Sequence, residues 1–406
     1  APGCEGSCEA ERSADASSEE HLKIAEDAAA ESIVLLQNDG VLPLLPEKVR
    51  TIAVLGAAAV AGDTSTGAAG SPYSGAGAGH VGALDTITPL DGIRSRAAKA
   101  GIRVLNPTDT SDVQIAVGLA DQADVVIIVG AAITMEGEDR KDLSLAGDTD
   151  ALIATVAARG KPVVVLLEVP GPVLTPWRDH TAAIAALFYG GERSGGAWAS
   201  VLFGDRSPSG KLPVVMPSTT KDLVAPGKDD ITYEEGLETS YRSPVLRIAF
   251  PFGHGLSYTY FEIEHAWVFV EGCPEAACVK ANITNMGSRP GREVVQAYIH
   301  LADDDGIYEL KAPVLRGFYK TAELKPGELE EISLMFMARD LSVYDEGAHA
   351  WRQRKMFNLQ LGTSCTDIQR SIQVMVPPKA AAARRAVSVV AVAVAAALAA
   401  SGLAAA

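Results

Sequence analysis

The feature that most limits what this chain can become is a change of hydrophobic period part-way along it. Up to about residue 217, short apolar runs stand at Ile52 to Leu55, Ile102 to Leu105, Val125 to Val129, Val163 to Leu167, Ala182 to Phe188 and Leu212 to Val215. Each is continuous rather than alternating, which predicts strands covered on both faces. Helical spacing fills the intervals. Leu22, Ala25, Ala29, Ile33 and Leu36 recur along one face and predict an amphipathic helix from Glu20 to Leu36. A second helix has readable ends, with Asp148 as its cap, Leu152, Ile153 and Val156 as its apolar face, and Gly160 as its stop. Strand and helix in this alternation predict a doubly wound, mostly parallel α/β sheet over about residues 40 to 217.

After Tyr258 the period becomes two. Val295, Ala297, Ile299 and Leu301 alternate with polar or aromatic neighbours, and Ile332, Leu334, Phe336 and Ala338 do the same, as do Phe357, Leu359 and Leu361. Turn clusters such as Lys325-Pro326-Gly327 separate them. About seven such strands predict an all-β, antiparallel sandwich of immunoglobulin or fibronectin type III kind. The division expected is a loose lead-in (1–19), an α/β domain (20–217), a linker and junction (218–257), the β sandwich (258–376) and an Ala-rich hydrophobic tail (377–406).

Composition removes several functions. The net charge of -16 leaves no basic face for nucleic acid. Cys4, Cys8, Cys273, Cys278 and Cys365 form no C-x-x-C pair and the seven histidines are scattered, so no metal site is expected. Five cysteines allow one or two disulfides plus a thiol. Asn282-Ile283-Thr284 is a glycosylation sequon, meaningful in a secreted chain. Ala386 to Ala406 carries no charge and follows Arg384-Arg385; as a helix it would extend about 31 Å, one hydrocarbon core. Residues 386–406 therefore read either as a membrane-associated or lipid-anchor tail or as a low-complexity extension. Arg384-Arg385 before a spanning helix would place the body in the cytosol, a conflict that a lipid-anchor signal removes, and a cell-surface or extracellular location is expected.

Motifs narrow the chemistry further. Gly77 to Gly82 has the form G-x-G-x-x-G, but no strand precedes it directly and no helix follows, so it reads as a loop bordering a ligand cleft rather than a dinucleotide site. Neither G-x-S-x-G nor H-E-x-x-H occurs. Carboxylates remain. The densest polar cluster, Glu136-Gly137-Glu138-Asp139-Arg140-Lys141-Asp142, lies just beyond the run ending at Val129. Loops at the carboxyl ends of parallel strands are where open α/β sheets bind ligands. A glutamate beside a glycine can approach a substrate closely and serve as general acid; a solvated, salt-bridged turn is the other reading. His254, Trp177 and Tyr73 read as packing residues before they read as a base or as sugar platforms.

Several segments resemble, in order, those of family 3 glycoside hydrolases of the β-glucosidase type. They are ESIVLLQNDGVLPL from Glu31, TPLDGI from Thr88, EGEDRKDLSLAGDTDALI from Glu136, LFGDRSPSGKLPVVMP from Leu202, the Tyr233 to Arg242 spacing, FPFGHGLSYT from Phe250, and LRGFYKTAELKPGE with RDLSVYD beyond it. The resemblance covers roughly residues 20 to 376. It implies the family's C-terminal α/β sandwich domain followed by a fibronectin type III-like domain, with hydrolysis of β-linked sugars and retention of configuration. It implies no cofactor. Carried onto this sequence, the family's E-G-x-D-R element makes Glu136 the general acid/base, with Asp139 and Arg140 supporting the loop. The nucleophilic aspartate of the family sits in a Ser-Asp-Trp-like motif of an N-terminal barrel. Here the only Ser-Asp is Ser111-Asp112, followed by Val113 in a helical stretch. The partners implied are a β-linked oligosaccharide or glycoside and the missing barrel domain, and the chain alone is expected to be inactive. A non-catalytic carbohydrate-binding or cell-surface scaffold protein built from the same domains is the alternative.

Overall fold

In the computed structural model, which describes residues 6, 17–62, 70–77, 80–83, 85–109, 112–221, 223, 233–301 and 312–376, the chain forms two compact units. One comprises residues up to Ala225 together with Leu246–Tyr258, and the other Pro226–Val245 with everything from Thr259 onward.

The first unit is built around a six-stranded sheet. Its strands are β1 (Val34–Asn38), β2 (Thr51–Leu55), β3 (Arg103–Leu105), β4 (Val125–Ala131), β5 (Val163–Glu168) and β6 (Ala183–Leu187). They lie in the order β1-β6-β5-β4-β2-β3. All neighbours are parallel except the β1–β6 pair at one edge, which is antiparallel. Every residue of β4, β5 and β6 is buried, which is why these runs show no alternation in the sequence. Val164 and Leu166 of β5, with Ile127 and Val129 of β4 and Ala183 and Ala185 of β6, enter one core with Ile93, Trp198 and Val201. Val163, Val165 and Leu167 of β5, with Val126 and Ile128 of β4 and Ile184 and Ala186 of β6, enter the other, with Leu152, Ile153 and Val156. Helices α1 (Glu19–Ser32), α2 (Pro89–Lys99) and α5 (Ser194–Leu202) supply the first core, and α3 (Val113–Gln122) and α4 (Thr149–Ala157) the second.

Three local expectations differ from what is observed. The periodic stretch from Glu20 to Leu36 is one helix only to Ser32; Val34 onward is edge strand β1. Pairing with β6 buries Ile33 to Leu36 on both sides, so tertiary burial overrides a pattern that fits a helix. Leu212 to Val215 is not a strand: pairing is confined to β7 (Met216–Pro217) against β8 (Ile248–Phe250). Those β8 residues, and the turn after them, come from the stretch read as linker, and they close on the α/β unit. Asp148 does occupy the cap position of α4, but its side chain makes no capping bond. Gly160 takes the left-handed φ of +74° expected just past a helix end.

The second unit contains a three-stranded sheet, β13-β10-β9, and a four-stranded sheet, β12-β11-β16-β17. The ranges are β9 (Phe261–Phe269), β10 (Ala277–Asn285), β11 (Val294–Leu301), β12 (Val314–Lys320), β13 (Leu329–Phe336), β16 (Met356–Gly362) and β17 (Ile368–Met375). A separate hairpin joins β14 (Ser342–Asp345) to β15 (Ala350–Gln353). Val295, Ala297, Ile299 and Leu301 of β11 meet Ile332, Leu334 and Phe336 of β13 and Phe357, Leu359 and Leu361 of β16 in one core. The period of two therefore reports the buried face directly. Cys273 and Cys278 form a disulfide across the β9–β10 turn. The sequon residue Asn282 lies within the central strand of the smaller sheet. Cys4, Cys8 and residues 386–406 fall outside the described residues. Among the described residues no helix is long and apolar enough to cross a membrane.

Candidate active site

At the carboxyl end of β4 the chain leaves the sheet into a loop that runs to α4. The base of this loop is pinned at several points. Ala132 N–H donates to the Glu168 carbonyl at 3.1 Å, Ala146 N–H to Ala131 at 2.7 Å, and Leu174 N–H to Leu143 at 2.9 Å. Asp150 ties the far end, accepting from Leu145 N–H at 3.1 Å and from the Trp177 indole N–H at 2.7 Å. Trp177 is only 3% exposed, so its ring is part of the scaffold and offers no platform to a sugar.

At the outer end, Met135 and Glu138 form an isolated bridge. Gly137 between them takes φ +81°, a left-handed conformation that glycine adopts at little cost. Glu136 thus stands at the crown of a tight turn, exposed to solvent. Arg140 reaches back to donate to the Pro172 carbonyl at 2.8 Å. Among the described residues Asp139 is exposed and makes no ion pair with it, so the loop is anchored through Arg140 and not through an Asp–Arg pair. Asp142 accepts from Ser144 N–H at 2.8 Å, and that bond holds its carboxyl below the usual range. A carboxylate so stabilised is a poor proton donor near neutral pH. A hollow of ≈ 400 Å³ is walled by Ile133, Thr134, Glu138, Arg140 and Asp142 among others. Glu136 is not in its wall; its Cβ lies instead against Gly77, where an added methyl would stand 2.4 Å away.

The glycine-rich segment is thus part of the same site. It enters through a bridge between Ser71 and Gly75, and no helix begins among its described residues. Tyr73 is buried, with its hydroxyl on the Ala61 carbonyl and its own carbonyl accepting from Gly191 N–H at 3.1 Å. It packs the loop and is out of reach of a ligand. Asp112, the only aspartate preceded by serine, caps α3 by accepting from Gln114 N–H at 2.8 Å and Ile115 N–H at 3.2 Å. His254 is likewise structural: its Nε2–H donates to the Leu36 carbonyl at 2.8 Å, and its ring stacks on Phe250. Tyr258 donates to the Val201 carbonyl at 2.9 Å. The Phe250-to-Tyr258 motif therefore seals the α/β unit itself.

A sequence profile described as the glycosyl hydrolase family 3 C-terminal domain matches residues 33–258, and a fibronectin type III-like domain matches residues 293–365. The chain belongs to glycosyl hydrolase family 3. It is 33% identical over 375 residues to the thermostable β-glucosidase B of Acetivibrio thermocellus, covering 86% of this chain and 47% of that protein. It is 32% identical over 383 residues to an exo-α-(1→6)-L-arabinopyranosidase of Bifidobacterium longum, covering 87% and 48%. The crystal structure of β-glucosidase D2-BGL from Chaetomella raphigera superimposes with a TM-score of 0.78 at 28% identity, over 88% of this chain and 55% of that one. The chain thus spans about half the length of the curated relatives it matches. Its two units are the family's C-terminal α/β sandwich and the fibronectin type III-like domain.

Two residues of this family 3 domain were not legible as site residues. Tyr189 follows β6 and its hydroxyl accepts from Thr134 N–H at 3.0 Å, just ahead of Glu136. Glu168, the last residue of β5, is 1% exposed and accepts from the Trp198 indole N–H at 3.0 Å. Burial pushes its carboxyl up to about 8 despite that bond. Both sit at the carboxyl edge of the sheet, which is the one signal that could have drawn notice to them.

Proposed function

We propose that this chain is the acid-bearing part of a retaining β-glycosidase, with a β-glucoside as first candidate substrate and Glu136 as general acid/base. The observation that carries the reading is the position of Glu136: exposed at the crown of the E-G-x-D-R turn, on the ligand-binding edge of a family 3 sheet. In the first step its carboxylic acid would protonate the glycosidic oxygen as the bond to the anomeric carbon breaks, while an opposing carboxylate bonds to that carbon. In the second, the Glu136 carboxylate would take a proton from a water that displaces the enzyme carboxylate. Retention requires the two carboxyls about 5 Å apart. The opposing one is assigned to a barrel outside these 406 residues, so the chain alone hydrolyses nothing. Arg140 supports the loop. The family relationship supports a terminal β-linked sugar, and the Cys273–Cys278 disulfide supports an oxidising, extracellular location.

The test has two arms. The 406-residue chain is assayed on aryl β-glucoside, β-xyloside and N-acetylglucosaminide; clear turnover lost in Glu136→Ala would mean that a second carboxylate lies within the chain. In the barrel-containing form, Glu136→Ala is expected to slow turnover by about 100-fold or more, with azide partly restoring it on substrates with good leaving groups. Unchanged turnover there would move the acid role to Glu138.

A further inference from the structure

The carboxyl edge of the sheet contains a closed circuit of contacts that begins and ends at the Glu136 turn. Tyr189 accepts the Thr134 N–H at 3.0 Å. The carbonyl of the same Thr134 accepts from Ala76 N–H at 3.1 Å. Both backbone polar groups of the residue two before Glu136 are therefore held from outside its own loop. Gly75 lies close against the Tyr189 ring: a methyl added there would stand 2.9 Å from ring carbon Cε2 and 3.3 Å from the Thr134 carbonyl oxygen. Gly77 touches Glu136, with an added methyl 2.4 Å from its Cβ and 3.2 Å from Oε2.

Tyr189 holds its place in this circuit at a cost. Its φ is +45°, a left-handed conformation that costs a non-glycine residue about 1–2 kcal/mol. Such strain persists only where surrounding structure over-determines it. Burial also raises its phenol above the ordinary value, so the hydroxyl stays protonated and neutral, and its oxygen can accept an amide N–H throughout the working pH range.

We propose that Tyr189 and the Gly75–Gly77 segment are positioning elements for Glu136: the phenol fixes the Thr134 peptide, and the bare glycine backbone fills the space beside the Glu136 side chain. The proposal rests on the reading of Glu136 as general acid for its significance, not for its test. A carboxylate on an exposed turn would otherwise sample many rotamers, and proton donation to a glycosidic oxygen needs one of them.

The experiment uses the 406-residue chain labelled with carboxyl-13C glutamate, the Glu136 resonance being identified by its loss in Glu136→Gln. Tyr189→Phe keeps the ring and deletes only the acceptor. It is expected to raise Thr134 amide exchange by about fivefold, the loss of one neutral hydrogen bond, and to shift and broaden the Glu136 carboxyl signal while the melting temperature changes little. Gly77→Ala should move the same signal further. Gly40→Ala is the control, because Gly40 has nearly the same φ (+88° against +87°) and nothing within 4 Å of an added methyl; it carries the backbone strain without the contact and should leave the signal in place. A Glu136 signal unmoved by both Tyr189→Phe and Gly77→Ala would overturn the proposal. No turnover is needed for the readout, so failure of positioning and failure of the acid assignment are separate results.

Discussion

Glu168 shows how far a single side chain can depart from what its residue type suggests. It ends a strand of valines and leucines, carries a carboxyl with one indole donor, and is almost fully enclosed. Enclosure raises its pKa from 4.5 to about 8. The sign of the consequence follows from proton counting. Between pH 4.5 and 8 the folded chain keeps a proton that the unfolded chain has released, so this contribution to stability is complete below pH 4.5. It is lost as pH rises toward 8, at up to about 1.4 kcal/mol per pH unit. Glu168→Gln mimics the neutral acid and cannot ionise. Melting curves should therefore show wild type losing ground to Glu168→Gln from pH 4.5 to 8, then running parallel above it. Parallel profiles over the whole range would mean that the carboxyl is ionised in the fold. Nothing in the run Val163 to Glu168 announces this, because burial of a residue at a strand end is decided by the helix above it.

At the scale of elements, α2 and α5 meet through backbone. A methyl on Gly195 would stand 2.1 Å from the Thr88 carbonyl oxygen, and one on Gly92 would stand 2.0 Å from that of Gly195. Neither neighbour can yield, since both are main chain. Gly195→Ala should therefore lower stability by about 1–3 kcal/mol, read as a drop in melting temperature. Gly118→Ala is expected to act in the opposite direction: it lies inside α3 with nothing within 4 Å of an added methyl. Alanine there gains about 0.5–1 kcal/mol over glycine through reduced chain entropy. The same two residue types at helical positions thus predict opposite signs, and only the packing tells them apart. Element boundaries behaved similarly. The step from α1 to β1 at Ile33 leaves no mark in the apolar spacing, because Ile33 and Leu36 satisfy a helical face and a buried edge strand equally well.

For the whole molecule the controlling quantities are three separate cores and an excess of acid. Each unit encloses its own apolar interior, with one core on each face of the α/β sheet and a third inside the sandwich. The charge of -16 at neutral pH and the isoelectric point near 4.9 keep molecules apart by mutual repulsion above that point. Solubility should pass through a minimum close to pH 4.9 and recover on either side, checked by light scattering against pH at low salt. A solubility independent of pH would point to an association driven by apolar surface instead. This minimum and the Glu168 slope fall in overlapping pH ranges but in different observables, so neither obscures the other.

The sequence by itself determined the class of both units, since the period of apolar residues is set by strand and helix geometry and survives without any knowledge of neighbours. It also placed the Glu136 turn at the carboxyl edge of the sheet, because Gly137 and the end of β4 are local features. Tertiary structure alone decided which residues meet that turn. Tyr189 and Gly77 lie more than fifty residues from Glu136 along the chain, and they meet it only because β6, β4 and the loop after β2 end on one edge of the sheet. It alone decided, too, which carbonyl the His254 ring meets, that of Leu36. A hydrogen bond across the fold leaves no period and no spacing for a sequence to show.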